Sequence, residues 1–235
     1  LQAQVSYSYS KSIDDSSNFA SDAEAANGAM LPLNGSSSFN RGLSGHDVRH
    51  YFVAAFTWAL PLEEGAGWWR FLGGWQLSGV MTYASGNPTS VWLEYDAAGT
   101  KTSESGVAIG QRPDLVPGAS NNPVTGDPRG WVRADAFRRP AAGYLGNLGR
   151  NTIIGPDYAN VDLALVKRVT LSGSGKVGLD LRFEAFNLFN RTNFDLPSAE
   201  RMALFSSATA VREDFGRITS ANKSREIQLG LKLRF

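Results

Sequence analysis

The chain has 235 residues, 42% hydrophobic and 19% charged, with a formal net charge of +1, which gives no electrostatic drive toward nucleic acid, so no such partner is expected. Cysteine is absent and only His46 and His50 represent histidine, which excludes disulfides, thiolate metal sites and a histidine-rich metal centre. No run of about 18 apolar residues occurs, which excludes a transmembrane helix but not strands that cross in about 9–11 residues with alternate ones apolar.

Period-two alternation dominates the chain and predicts six strands. The first covers residues 1–11, where Leu1, Ala3, Val5, Tyr7 and Tyr9 alternate with Gln2, Gln4, Ser6, Ser8 and Ser10. The second covers 48–60, with Phe52, Ala54, Phe56, Trp58 and Leu60 on one face. The third covers 73–85, with Trp75, Leu77, Gly79, Met81 and Tyr83. The fourth, 158–171, carries Val161, Leu163 and Leu165 against Asn160, Asp162 and Ala164. The fifth, 176–190, carries Val177, Leu179, Leu181 and Phe183 against Gly178, Asp180, Arg182 and Glu184. In the sixth, 225–235, Ile227, Leu229, Leu231, Leu233 and Phe235 alternate with Glu226, Gln228, Gly230, Lys232 and Arg234. Short helical turns are expected within loops near 131–137 and 198–210.

Short and long connections alternate strictly. Pro61 to Leu72 and Ser172 to Gly175 are the short ones. Ser12 to Asp47, Gly86 to Asp157 and Arg191 to Ser224 are long, polar and rich in Gly, Ser, Asn and Pro. In an up-and-down sheet all long loops then lie at one end, the asymmetry of bacterial outer-membrane barrels, with short periplasmic turns and long extracellular loops. Trp58 and Trp75, with Trp68 and Trp69 in the adjoining turn, fall near the turn end. Tyr7, Tyr9, Tyr83 and Phe189 fall near the other, as interfacial girdles do. The fold expected is therefore all-β: an antiparallel up-and-down transmembrane barrel, seen as about six strands. The chain opens inside a strand and closes on Phe235 at the end of another. Residues 1–235 are thus expected to be the C-terminal portion of a longer protein.

The charged strand positions Asp162, Arg168, Asp180, Arg182, Glu184, Glu226, Lys232 and Arg234 are expected to face the lumen, where mixed charges stay solvated and pair across strands. Lys167 is the exception on the apolar face, expected to snorkel from its place near the turn end. Asp180, Arg182 and Glu184 share one face, the carboxylates roughly 13 Å apart by strand rise, and read as a lumen network rather than an acid–base pair. Ser44, Asp47 and His50 lack a nucleophile elbow and read as loop closure onto the second strand. Asp14, Asp15, Asp22 and Glu24 form an acidic segment without an EF-hand pattern. Gly173-Ser174-Gly175-Lys176 lacks the spacing of a phosphate loop and reads as a hairpin turn. Trp131, Phe137, Arg138, Arg139 and Tyr144 could contact a ligand or fold down the longest loop. No catalytic residue, cofactor or metal ligand is assigned.

Several segments, taken in order, carry a resemblance. They are Asp47-Val48-Arg49-His50, Gly74-Trp75-Gln76-Leu77-Ser78-Gly79, Ser85-Gly86-Asn87-Pro88, Gly146-Asn147-Leu148-Gly149-Arg150-Asn151, Phe183-Glu184-Ala185-Phe186-Asn187-Leu188-Phe189-Asn190, Phe215-Gly216-Arg217-Ile218 and Leu231-Lys232-Leu233-Arg234-Phe235. Together they resemble the C-terminal barrel of TonB-dependent receptors, especially the Oar-like, carboxypeptidase-regulatory-domain-containing type abundant in Acidobacteria. The resemblance implies a barrel of about 22 strands, a plug and coupling box N-terminal to Leu1, and energy from the TonB complex of the inner membrane for uptake of a bulky nutrient. It also implies outer-membrane lipid as surroundings. Ile227, Leu229, Leu231, Leu233 and Phe235 would form the C-terminal signal read by the barrel assembly machinery. The alternative is an outer-membrane adhesin or structural barrel whose loops bind partners without transport; an outer-membrane hydrolase is the third class.

Overall fold

The computed structural model describes residues 1–15, 17, 38–62, 73–100, 110–171 and 177–235. Six long strands form one sheet: β1 (Gln2–Tyr9), β2 (His50–Ala59), β3 (Trp75–Ala84), β4 (Tyr158–Thr170), β5 (Gly178–Phe186) and β6 (Glu226–Arg234). Their order in the sheet is their order in the sequence, and every neighbouring pair is antiparallel. The other sheets among the described residues are two-stranded pairings of two or three residues in the long loops. No described helix is long and apolar enough to cross a membrane, which says nothing of strands.

Register places all the apolar alternation on one side. One row runs Val5, Ala54, Met81, Val161, and another runs Trp58, Leu77, Leu165, Phe183, Leu229. Because the side-chain period is two, a one-residue slip in any pair would turn that strand's apolar set over to the other face. Gly79 sits in the row with Phe56 and Leu163. A Cβ there would lie 2.6 Å from Leu163 Cδ2 and 2.7 Å from Phe56 Cε1, so the missing side chain seats both neighbours.

Many of these side chains are uncovered. Leu229 is 82% and Leu231 71% exposed, and Tyr7, Tyr9, Trp58, Met81, Leu181 and Phe183 are exposed too. A sheet that presents apolar residues outward, with no second sheet stacked on it among the described residues, needs a hydrocarbon solvent. The buried core lies elsewhere, in the long loops. It consists of Val91, Trp92, Leu93, Val132, Ala136, Phe137, Leu148, Ile153, Met202, Ala203, Leu204, Phe205 and Phe215.

Two sequence expectations are corrected. The fifth strand ends at Phe186, not at 190, because Asn187 and Asn190 adopt left-handed backbone with φ of 50° and 52°. Asn tolerates that region through local hydrogen bonds. The Asn187 side chain accepts from the Arg191 amide at 3.0 Å and donates to the Arg191 carbonyl at 2.9 Å, closing a turn that stops the ladder. Phe189 thus lies in this turn rather than on a strand. Lys167 does not snorkel to water. Its side chain is 2% exposed, its ammonium donates to the Gly73 carbonyl at the turn, and it lies 5.6 Å from the Trp75 ring centroid. A carbonyl and an aromatic face replace the water it would otherwise seek. The other strand limits agree within two residues. The helical turns appear as 3-10 turns Ala134–Ala136 and Glu200–Met202. Trp68, Trp69, Asp22, Glu24 and the segment from Gly173 to Lys176 lie outside the described residues.

The two faces give a direct test. Leu229→Arg, on the apolar face midway along β6, is expected to lower folding stability in bilayers by about 2–4 kcal/mol. Gln228→Arg, one residue away on the other face, is expected to be near neutral. Urea titration of the heat-modifiable folded band of the full gene product measures both.

Candidate functional site

The face opposite the apolar one carries the charges, and register sorts them into rows. Gln4, Ala55, Val80 and Asp162 form one, Ala164, Glu184 and Gln228 the next, and Arg168, Asp180 and Lys232 the third. The third row sets an acid between two bases, as cross-strand neighbours favour. Asp180 Oδ1 also lies 3.0 Å from Arg234 Nη2, an ion pair without hydrogen-bond alignment. Arg182 pairs with Glu184 at 3.5 Å rather than with Asp180, and Glu226 pairs with Lys223 at 3.5 Å. Asp162 Oδ1 accepts from Asn160 Nδ2 and from the Asn187 amide, both at 2.8 Å. That carboxylate ties the turn after β5 to β4. An open recess of about 350 Å³ runs along this face, lined by Gln4, Thr57, Ser78, Asp162, Glu184 and Phe186 among others.

The described residues of the three long connections pack on each other into a cap at one end of the sheet. Ala203–Phe205 pairs in parallel with Trp92–Leu93, and Trp92 Nε1 donates to the Ala199 carbonyl at 2.8 Å. Phe137 and Phe215 meet edge to face, 6.3 Å between centroids. Gly216, with φ of 70°, accepts from the Trp131 amide at 2.9 Å, while Trp131 Nε1 donates to the Ile154 carbonyl at 3.0 Å. Arg139 lies 4.3 Å from the Phe205 ring and donates to the Ala210 carbonyl at 2.8 Å. Trp131, Phe137 and Arg139 therefore fold the longest loop. Arg138 is exposed beside Asp114 at 3.5 Å, and Tyr144 is exposed.

Three arginines clasp the loops. Arg150 is buried; its Nε donates to the Asn40 carbonyl at 2.6 Å, and its Nη2 donates to the Asp14 carbonyl at 2.8 Å and to the Asp14 carboxylate. Arg112 is also buried, donates to the Leu148 carbonyl and the Phe39 carbonyl, both at 2.8 Å, and lies 4.1 Å from the Phe39 ring. Burial, with Arg150 adding repulsion, pushes its pKa down to about 10, so the guanidinium stays charged at neutral pH. Arg212 joins the second loop to the third through Glu94 at 2.6 Å and Glu200 at 3.1 Å. Burial lowers its pKa, but these partners prevail and raise it. At Asp14 burial pushes the pKa up, yet hydrogen bonds from Arg150, Ser17 and Ser44 outweigh it and hold the group below its ordinary 3.8.

The remaining candidates have structural places. Asp47 is buried and its Oδ1 accepts from the Ser12 amide at 2.6 Å, closing the first loop onto β2. Ser44 Oγ accepts from the His46 amide at 3.3 Å, whereas the His50 ring is 2.8 Å from Tyr7 Oη. Ser44 and His50 are not brought together. Among the described residues no group of three or more His, Asp or Glu side chains is placed to hold a metal ion. The cap core and the Arg112–Arg150 pair escaped the sequence reading, because contacts between loops leave no periodic signal. The segment 146–151 was visible as a motif. Its job is seen only in space: Gly146 passes so close to Arg112 and Pro113 that a Cβ would lie 2.0 Å from the Arg112 carbonyl oxygen, and Asn151 turns through φ 54°.

A sheet with an outward apolar face, a charged reverse and long loops at one end is the arrangement of an outer-membrane barrel wall. The family model described as outer membrane beta barrel domain matches residues 1–228. The chain belongs to this family. Its location is accordingly the bacterial outer membrane. No curated protein and no solved structure matches the chain. Within the outer membrane beta barrel domain, β1 and β6 are the edges of an open sheet, unpaired with each other among the described residues.

Replacing Arg150 by Met is expected to loosen the cap while leaving the strands in place. Losing one partner of a buried pair costs about 3–5 kcal/mol. Limited proteolysis of the full protein in detergent should cut the first long loop faster, with the barrel fragment preserved. The Asp14 contact contributes fully above pH 3.8 and fades as pH falls through its lower folded value, so wild-type protease resistance should persist to pH 4 and drop below it.

Proposed function

We propose that this chain is the C-terminal part of the barrel of a TonB-dependent receptor that takes up a bulky nutrient across the outer membrane. The unsatisfied sheet edges carry this reading furthest. In lipid an edge strand leaves a row of unpaired N–H and C=O groups, and barrels remove edges by closing. Six strands make only an arc of a cylinder wide enough to pass a bulky solute, so β1 and β6 call for further strands to pair with. The ordered motifs support the same assignment, since segments 146–151, 187–190 and 215–218 occupy the joints that fold the cap and end β5.

In this reading the apolar face contacts lipid. Asp162, Arg168, Asp180, Arg182, Glu184, Glu226, Lys232 and Arg234 line the hydrated lumen, and the loop cap faces the exterior and captures ligand. Ile227, Leu229, Leu231, Leu233 and Phe235 lie uncovered along and just beyond β6, available to the barrel assembly machinery. The wall carries four acids and four bases, with Arg182–Glu184 and Asp180–Arg234 as ion pairs, which keeps it wet without one dominant sign. Movement of the plug, driven by the inner-membrane complex, then opens the path.

The packed cap also suits an adhesin, for which a rigid binding surface suffices and energy coupling has no role. In-cell cross-linking of the tagged full-length protein to the energy-coupling protein separates the two. The receptor is expected to give an adduct that depends on the segment preceding Leu1. Absence of any adduct in cells where a known coupled receptor gives one would remove the uptake reading and leave the adhesin.

A further inference from the structure

Between the first and second long loops lies a cavity of about 510 Å³, lined by ten residues that include Lys11, Ile13, Arg41, Leu43 and Arg150. This is within the usual size of a small-molecule site, about 300–1,000 Å³. Three of the ten residues are cationic and none is a carboxylate. Arg150 forms part of the floor and is committed to Asp14 and Asn40. Lys11 and Arg41, in contrast, are exposed, and their side chains make no ion pair or hydrogen bond among the described residues.

The rest of the lining is apolar or open. Ile13 is an exposed aliphatic residue and Leu43 lies beside it across the Ile13–Leu43 pairing. Gly42 and Gly149 carry no side chain into the space. Gly42 also lets the first loop approach the Arg150 carbonyl, to which a Cβ would lie 2.5 Å. The clasp that builds the cap therefore also builds the walls of this cavity and holds them together.

We propose that this cavity is a binding site for an organic anion, a carboxylate or phosphate on an apolar body. Arg41 and Lys11 hold the charged group, and Ile13 and Leu43 cover the apolar part. The two exposed cations supply charge-assisted hydrogen bonds, which are roughly twice as strong as neutral ones. The proposal rests on the receptor reading above and names the class of solute its loops select.

The test uses full-length protein in nanodiscs, titrated calorimetrically with 1-naphthoate and with its uncharged counterpart 1-naphthamide. Naphthoate is expected to bind and the amide to bind at least about tenfold more weakly, as loss of a charged hydrogen bond implies. Arg41→Gln and Lys11→Gln should each weaken naphthoate about tenfold. Arg138→Gln, outside the cavity, should leave it unchanged. Both charge variants lie at exposed positions, and the heat-modifiable band reports their folding. Equal binding of acid and amide, no binding of either, or no effect of the two charge variants in folded protein would overturn the site. Binding is read without energy coupling, so a failed cross-link with intact naphthoate binding removes the uptake reading alone. A successful cross-link without binding removes this site alone.

Discussion

Hydrocarbon offers no water to replace a missing backbone hydrogen bond, so each segment that crosses it must be paired along its length. The strict antiparallel register of β1 to β6 answers that demand, and much of the structure follows from it. Pairing fixes which residues share a face. The face that meets lipid must then keep charge shielded from hydrocarbon, and Lys167 does so by donating from its ammonium to the Gly73 carbonyl beside the turn. The opposite face meets water and can carry eight charged residues, of which Arg168, Asp180 and Lys232 share one row in alternating sign. Gly79 shows how tightly the ladder constrains composition: its empty position accommodates the Phe56 ring and the Leu163 branch.

A wall of this kind has no interior of its own. The hydrophobic core that a soluble domain keeps between its sheets has moved into the loops, around Trp92, Leu93, Leu204 and Phe137. Buried guanidinium groups then organise what apolar packing cannot. Arg112 and Arg150 sit side by side with the Asp14 carboxylate and several loop carbonyls as acceptors. Such a cluster is favourable only when nearly every donor is satisfied, which gives the cap one arrangement instead of many.

The sheet was legible in the sequence because a two-residue period is a local property. Leu229, Leu231 and Leu233 declare their face without reference to anything distant. The end of β5 was misjudged because the apolar run continues through Leu188 and Phe189, while the decisive fact is the left-handed backbone of Asn187 and Asn190. The cap was illegible for a different reason. Trp131, Phe137 and Arg139 could be singled out by type. Their partners Ile154, Phe215 and Phe205 lie 23 to about 80 positions away, and no periodicity links them. Arg150 illustrates the limit best: within its motif it looks like one more polar loop residue, yet its carboxylate partner is 136 residues earlier.

That separation bears on how the molecule assembles. Asp14 and Arg150 lie on opposite sides of β2 and β3 in the chain, so their contact closes a loop of chain that contains that hairpin. Closure entropy grows only slowly with loop length, so the distance in sequence costs the contact little, and the hairpin is tethered through both of the segments that flank it.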